Sequence, residues 1–128
     1  MILVDTSVWI DFFNAKPGRA GAALRQMIED AEPFALTGIV VAEVLQGLTR
    51  NVAQIEGYLA QWELLEPAGF ATYREGAAIF RKARAHGVTL TTTDALTAAI
   101  ALEHDAALFT LDKDFIRIAK WTGLALVS

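Results

Sequence analysis

Residues 91–115 read TTTDALTAAIALEHDAALFTLDKDF, and this stretch decides the fold of the chain. We expect a helix that runs to about residue 104, followed by a buried strand over residues 107–110. Asp94 lies in the first turn of the helix, and Asp112 follows the strand directly. In open parallel sheets, ligands bind outside the carboxyl ends of the strands, which is where Asp112 is expected.

The remaining chain repeats this alternation of helices and short apolar strands. Strands are predicted over residues 1–5, 34–36, 64–65, 107–110 and 124–127, and helices over residues 8–14, 19–31, 38–48, 52–62, 70–86, 93–104 and 114–121. Expected helix caps are Ser7, Thr37 and either Thr92 or Thr93, and Gly87 is the expected stop of the 70–86 helix. Because no hairpin turn joins the strands, the pattern predicts a parallel α/β sandwich with helices on both faces of the sheet.

Length and composition predict one compact domain over residues 1–128. With 54% hydrophobic residues, the chain can bury a core without a disulfide or structural metal. The absence of cysteine fits a reducing compartment, so we expect the cytoplasm. The first residues, MILVDTSVW, have no basic region of a signal peptide, and no apolar run reaches the roughly 18 residues of a membrane span.

The net charge of −4 argues against a large nucleic-acid footprint that is independent of sequence, but it does not exclude nucleic acid. Divalent ions in an acidic cluster would remove negative charge locally and attract phosphate. Two basic groups remain, and we interpret each as a solvated helix face: Arg81, Lys82 and Arg84 in one, Lys113, Arg117 and Lys120 in the other.

Four carboxylates stand in or beside uncharged stretches: Asp5, Glu43, Asp94 and Asp112. Carboxylates removed from water without a partner cost several kcal/mol, so keeping several of them calls for a cation. Asp5 and Asp112 each follow a strand, where ligands bind in open parallel sheets. Glu43 is the only charge between Pro33 and Thr49 and can project inward from its helix.

Each acid also has an ordinary structural interpretation. Asp5 could be a loop acid, and Asp94 could simply favour the positive end of a helix dipole. Glu43 could pair with Arg81 or Arg50. Asp112 could form a helix-start cluster with Asp114.

The ligand type favours a hard cation. Carboxylate oxygens without histidine or cysteine nearby suit Mg²⁺ or Mn²⁺ better than Zn²⁺. Such an ion can activate water against a phosphodiester, and Lys113 and Arg19 are candidates for contacting the phosphate. The sequence has no phosphate loop of the GxxxxGK type and no Ser–His–Asp set, since His86 and His104 are expected at the surface. Trp9, Phe12 and Phe13 could supply an apolar surface for a partner protein or a second copy.

The segments ILVDTSVWIDFF, TGIVVAEVLQGL and TTTDALTAAIALEHDAALFTLDKDF together resemble a PIN domain, specifically the VapC-type toxins of toxin–antitoxin pairs. The resemblance covers nearly the whole chain and implies a PIN-like three-layer α/β/α sandwich with a central parallel sheet. It also implies a Mg²⁺- or Mn²⁺-dependent endoribonuclease, usually a homodimer, that a small VapB-type antitoxin inhibits. The acidic quartet of the family falls on Asp5, Glu43, Asp94 and Asp112. Its polar positions fall on Ser7 and Thr110, and Asp114 is a possible extra acid.

Two other classes of protein share part of this pattern. A receiver domain has a similar length and an acidic metal pocket, but it needs a phosphoacceptor aspartate in mid-chain, and no aspartate occurs between Asp30 and Asp94. A non-catalytic interaction module would keep the fold and bind a basic peptide in the acidic pocket, because the same carboxylates can hold an arginine. Metal-dependent RNA cleavage separates the second alternative from the nuclease.

Overall fold

A computed structural model describes residues 1–127 and shows a parallel sheet between two layers of helices. The strands are β1 (Ile2–Val4), β2 (Phe34–Leu36), β3 (Glu63–Leu64) and β4 (Ala107–Phe109). Their order across the sheet is β3-β2-β1-β4, and all pairs are parallel. The first strand of the chain is therefore an inner strand, and its carboxyl end lies between those of β2 and β4.

Within residues 1–127, seven helices connect and cover the strands. They are α1 (Thr6–Phe13), α2 (Arg19–Glu29), α3 (Gly38–Gln46), α4 (Val52–Leu59), α5 (Phe70–Ala85), α6 (Thr92–Glu103) and α7 (Lys113–Thr122). Thr37 caps α3 as predicted, since its hydroxyl accepts from the amide of Val40. Gly87 has a φ of +80° just after α5, which confirms the predicted stop.

Alternate residues along the strands point to opposite faces, which makes two cores. Leu3 and Leu108 belong to the core beneath α5, α6 and α7. Val4 and Leu36 belong to the core beneath α1, α2, α3 and α4. Helices on both faces of a parallel sheet confirm the predicted three-layer α/β/α sandwich.

Three local predictions were wrong. Asp5, not Ser7, is the cap residue of α1, which begins two residues earlier than expected. Thr91, not Thr92 or Thr93, caps α6, because its hydroxyl accepts from the amide of Asp94. The predicted last strand is reduced to an isolated bridge between Leu126 and Leu108.

The aromatic residues of α1 do not form the partner surface suggested by the sequence. Trp9 is 0% exposed and Phe12 is 6% exposed, and Phe13 packs on the same core. Their rings contact one another and the rings of Tyr58 and Trp62. This cluster holds α1 against α4 and contributes to the core. No helix within residues 1–127 is both long enough and apolar enough to cross a bilayer.

Candidate metal centre

Asp5 lies where β1 ends, and its carboxylate is buried without being used as a helix cap. Its amide donates to the carbonyl of Phe109 at 2.9 Å, which fixes the residue against the end of β4. Its side chain makes no cap hydrogen bond, although the residue occupies the cap position of α1. Asp5 is 7% exposed and is the one charged residue among the buried residues of 1–127. A carboxylate in this position is free for another task.

Two hydroxyl groups orient the Asp5 carboxylate through a single oxygen. Ser7 Oγ donates to Asp5 Oδ2 at 3.0 Å, and Thr110 Oγ1 donates to the same oxygen at 2.8 Å. Each hydroxyl also accepts from a backbone amide, Ser7 from Leu111 at 2.9 Å and Thr110 from Asp112 at 3.0 Å. The β4–α7 connection therefore sets the direction of both hydroxyls. The other oxygen of Asp5, Oδ1, keeps its lone pairs for a ligand.

Glu43 reaches the same sheet edge from α3. Its Oε1 accepts from Thr6 Oγ1 at 2.8 Å, which ties α3 to the first turn of α1 directly after Asp5. Glu43 is half-buried, and no arginine or lysine in the described chain forms an ion pair with it. The alternative pairing with Arg81 or Arg50 is therefore absent from residues 1–127.

Asp94 is the carboxylate whose titration shows the cluster most directly. Burial raises the pKa of Asp94, and the negative charges of Asp112 and Asp5 add to the rise, while hydrogen bonding to Thr91 opposes it. Asp5 and Asp112 are themselves linked through Thr110, whose hydroxyl donates to Asp5 and accepts from the amide of Asp112. A raised pKa means that the folded protein without a cation disfavours the ionised form of Asp94.

Asp112 and Asp114 share the start of α7 but differ in their partners. Asp112 Oδ1 accepts from the amide of Asp114 at 2.9 Å and caps the helix. Asp114 instead pairs with Arg117 at 3.1 Å. The predicted helix-start cluster thus exists in part, but Asp112 has no cationic partner among the residues described. Asp114 already has a counter-ion and is the weaker candidate ligand.

The four carboxylates occupy one sheet edge, yet they do not close around a common point. Across residues 1–127, no three acidic or histidine side chains converge closely enough to hold an ion. Like charges repel one another, and here Glu43 and Asp112 turn to the donors Thr6 and Asp114. The donor set still fits Mg²⁺ or Mn²⁺, because it is all carboxylate oxygen, half-buried or buried, and without cationic partners in the described chain.

The two candidate phosphate contacts and the two histidines lie at different distances from the acids. Lys113 follows Asp112 directly and is exposed beside the acids. Arg19 begins α2 next to Gly18, which bonds Asp11, about 9 Å along α1 from Asp5. Lys113 is therefore better placed than Arg19 for a phosphate near the acids. His86 and His104 are both at the surface, as expected.

Sequence reasoning missed Thr6 and Thr91. Thr6 holds Glu43, and Thr91 holds the helix turn that carries Asp94. A signal for Thr6 was present, since a hydroxyl residue stands directly between Asp5 and Ser7 in a first helical turn. Its partner Glu43 is 37 residues away, and no local pattern reveals that contact.

Comparison with known proteins identifies relatives of the whole chain. The PIN domain family model matches residues 2–120. The ribonuclease VapC11 of Mycobacterium tuberculosis is 33% identical over 132 residues, which span 100% of this chain and 98% of the relative. The VapC ribonuclease Mb1587 of Mycobacterium bovis is similar to the same extent, with 33% identity over 132 residues and the same coverage of 100% and 98%.

Solved structures share the fold over nearly the same length. FitAcB from Neisseria gonorrhoeae aligns with a TM-score of 0.72 and 25% identity, covering 100% of this chain and 97% of that chain. VapBC2 from Rickettsia felis, solved with a DNA fragment from its promoter, aligns with a TM-score of 0.76 and 21% identity, covering 99% and 98%.

Proposed function

The chain belongs to the PIN-domain family, with VapC ribonucleases among its relatives, and on this premise we propose that it is the endoribonuclease toxin of a toxin–antitoxin pair. We propose further that cleavage depends on Mg²⁺, with Mn²⁺ as a substitute. The observation that carries this proposal is the cluster of carboxylates at one sheet edge, without cationic partners in residues 1–127.

The proposed ligands are Asp5, Glu43, Asp94 and Asp112. A bound divalent ion supplies Lewis acidity and positive charge, which favour attack of water on a phosphodiester and stabilise the departing oxygen. Asp5, Asp94 and Asp112 come from β1, α6 and the β4–α7 connection, and Glu43 completes the set from α3. Ligands on four separate elements are positioned by the packing of the sandwich as a whole.

Hydroxyl residues act as positioning groups in this proposal. Ser7 and Thr110 fix the Asp5 carboxylate, and Thr6 fixes Glu43. Such partners keep a carboxylate in one orientation and tune its basicity, which is how residues behind the ligands influence metal sites. Asp114, already paired with Arg117, would influence the site mainly through its charge.

The chain is also proposed to bind a small antitoxin and to form a homodimer. Solved relatives include a toxin–antitoxin complex from Klebsiella pneumoniae, aligned with a TM-score of 0.74. Several large apolar side chains remain exposed and are available to partners: Ile10, Phe70, Tyr73, Leu111 and Ile116. Light scattering of the antitoxin-free protein tests the proposed dimer.

A cytoplasmic RNA target is also part of the proposal, and it fits the location expected from the lack of cysteine.

The proposed function is tested by incubating end-labelled total bacterial RNA with the antitoxin-free protein in Mg²⁺, Mn²⁺ or chelator. Asp94→Asn and Glu43→Gln are the active-site variants. Their matched controls are Asp30→Asn and Glu56→Gln, which change the same functional group at exposed positions. Thermal unfolding establishes that every variant is folded.

We expect discrete products with Mg²⁺ or Mn²⁺, none with chelator, and loss of cleavage in both active-site variants alone. Cleavage that persists in chelator would contradict the metal dependence. A folded wild-type protein that cleaves none of several RNA classes with metal present would favour the interaction module over the nuclease.

A further inference from the structure

A cationic cavity lies beside α7, away from the acidic cluster. It measures about 280 Å³ and is lined by His86, Gly87, Val88, Arg117, Lys120 and Trp121. Arg117 and Lys120 come from one of the basic groups seen in the sequence, while His86 closes the helix that carries the other group. The packing of α5 against α7 therefore brings the His86 ring beside Arg117 and Lys120, which follow it by 31 and 34 residues in sequence.

Contacts between α5 and α7 hold the wall of this cavity in place. Lys82 Nζ donates to the carbonyl of Trp121, and the His86 ring stacks on the Trp121 ring with centroids 4.0 Å apart. His86 Nδ1 also bonds the carbonyl of Lys82 at 2.9 Å. An aromatic wall beside two exposed cations is a combination that proteins use to bind single-stranded nucleic acid.

Two chain segments connect the cavity to the acidic cluster. Helix α7 begins directly after Asp112, and its exposed stripe carries Lys113, Arg117 and Lys120. At 1.5 Å per residue, Lys120 lies about 12 Å along the helix from Asp112. The stripe is a line of positive charge that starts beside the proposed catalytic acids.

The second segment, residues 87–91, runs from the cavity to the cap of α6. Val88 and Leu90 are buried, whereas Thr89 and Thr91 are exposed, as in an extended chain with alternating faces. Thr91 bonds the amide of Asp94 at 3.1 Å, so this segment also ends at the acidic cluster. Gly87 and Val88, at the start of this segment, line the cavity together with Arg117 and Lys120.

The charges around the cavity and the α7 stripe favour an anion. Arg117 is paired with Asp114 at 3.1 Å, but this pair is largely exposed and is therefore weak. Glu75 lies on the far side of Trp121, where it lines a separate depression with Lys82. Lys113 and Lys120 have no ion-pair partner within residues 1–127.

We propose that the α7 stripe and its cavity bind the phosphate backbone of the RNA strand next to the bond that is cut. This inference rests on the proposed function for the identity of the strand. Arg117 and Lys120 would hold phosphates a few nucleotides from the acids. The binding is independent of sequence, because phosphates carry no base information.

The test compares two double variants with the same change of net charge, both in an Asp94→Asn background that prevents cleavage. Arg117→Gln with Lys120→Gln removes the stripe cations that line the cavity. Arg50→Gln with Arg74→Gln removes two exposed arginines elsewhere. Fluorescence anisotropy with a labelled 20-nucleotide single-stranded RNA, in chelator and over a range of salt concentrations, gives the affinity and its salt dependence.

We expect the first double variant to bind the RNA about ten-fold more weakly than the control double variant at low salt. Its slope of log affinity against log salt should be smaller by about 1.4, since each contact with a single strand contributes about 0.7. Equal affinity and equal slope in the two double variants would overturn the inference. Unchanged RNA binding with weakened binding of the antitoxin would also overturn it and assign the face to the protein partner.

Cleavage by the same double variants with Asp94 intact separates this inference from the proposed function. If RNA is cut and both double variants behave alike, only the phosphate-binding inference fails. If the wild-type protein cuts no RNA while the anisotropy difference is found, the nuclease fails and the RNA-binding face stands.

Discussion

Two aspartates beside the first helix have opposite surroundings. Asp11, in the last turn of α1, accepts from the backbone amides of Gly18 and Gly21 with both of its oxygens. Asp5, at the other end of the helix, accepts only through Oδ2, and its donors are the hydroxyls of Ser7 and Thr110. A carboxylate satisfied by backbone amides stabilises the fold, whereas one held by hydroxyls through a single oxygen is prepared for a ligand.

The glycines make the Asp11 contact possible. A Cβ atom on Gly21 would lie 2.9 Å from the backbone of Asp11 and Phe12, so only glycine lets α2 approach α1 this closely. The hydrogen bonds from Gly18 and Gly21 to Asp11 therefore stabilise the packing of α1 against α2. The Asp5 network instead joins two segments, β1–α1 and β4–α7, at a site that packing alone does not require.

The largest expected effect comes from exchanging the Asp5 carboxylate for an amide. Asp5→Asn should reduce RNA cleavage by about 1,000-fold, because metal-assisted stabilisation is worth several kcal/mol and about 1.36 kcal/mol corresponds to a factor of ten. Cleavage kinetics measured on folded protein tests this. Near-normal cleavage by Asp5→Asn would contradict a ligand role for Asp5 and would make its role structural, like that of Asp11.

The reverse pattern is expected for Asp11. Asp11→Ala should lower the free energy of unfolding by about 1–3 kcal/mol, because the partly buried amide of Gly21 loses its acceptor. Urea unfolding measures this, and Asp30→Ala is a matched control at an exposed position. The folded fraction of Asp11→Ala should cleave RNA normally. A large loss of activity at unchanged stability would show that the hydrogen bonds of Asp11 also support the proposed metal site.

Thr110 should show an intermediate effect on activity. Thr110→Val removes the hydroxyl that joins Asp5 to the amide of Asp112 and should reduce cleavage or metal affinity by about 10–100-fold. Thr110→Ser keeps the hydroxyl and should restore most of the loss, with the Mg²⁺ concentration for half-maximal rate as the second measurement. A loss in Thr110→Ser as large as in Thr110→Val would indicate a packing role.

The smallest expected effect is on stability, and here the substitution, Asp94→Asn, should stabilise the protein. Since burial and the charges of Asp112 and Asp5 raise the pKa of Asp94, the folded state holds its proton to a higher pH than the unfolded state does. The contribution of Asp94 to stability therefore falls as the pH rises through the interval between the unfolded and folded pKa values, and stays low above it. Asp94→Asn should consequently raise the free energy of unfolding at pH 7 in chelator.

This stabilisation should shrink as the pH is lowered towards about 4, the ordinary pKa of an aspartate. Mg²⁺ should stabilise the wild-type protein more than Asp94→Asn, because ligands stabilise the state that binds them. Urea unfolding in chelator and in Mg²⁺ measures both differences. A less stable Asp94→Asn at pH 7 would contradict the raised pKa.

Most helices and strands could be predicted from the sequence, but several of their first and last residues could not. Strand β2 and the cap of α3 were correct, because an apolar run and a threonine before a helix are local signals. The last strand was wrong, since only an isolated bridge to Leu108 forms there, and strand pairing depends on a distant partner. The same reason hid the bond between Thr6 and Glu43.

Three candidate ligands, Asp5, Glu43 and Asp94, could be selected from the sequence because each stands among uncharged neighbours, and Asp112 could be selected because it comes after a strand. Their side-chain directions could not, since they depend on hydroxyls and amides that only the folded chain brings near. The aromatic residues of α1 show that composition alone does not distinguish a partner surface from a buried core. A run with three large rings suggested a partner surface, but these rings pack against Tyr58 of α4 and Trp62 just after it.

The position of β1 inside the sheet has a consequence for the timing of synthesis. Asp5 leaves the ribosome more than 100 residues before Thr110 and Leu111, and these two residues complete the network that orients its carboxylate. A nascent chain that stops before β4 can form neither the β1–β4 strand pair nor the proposed site. Incomplete products of translation should therefore be inactive as nucleases.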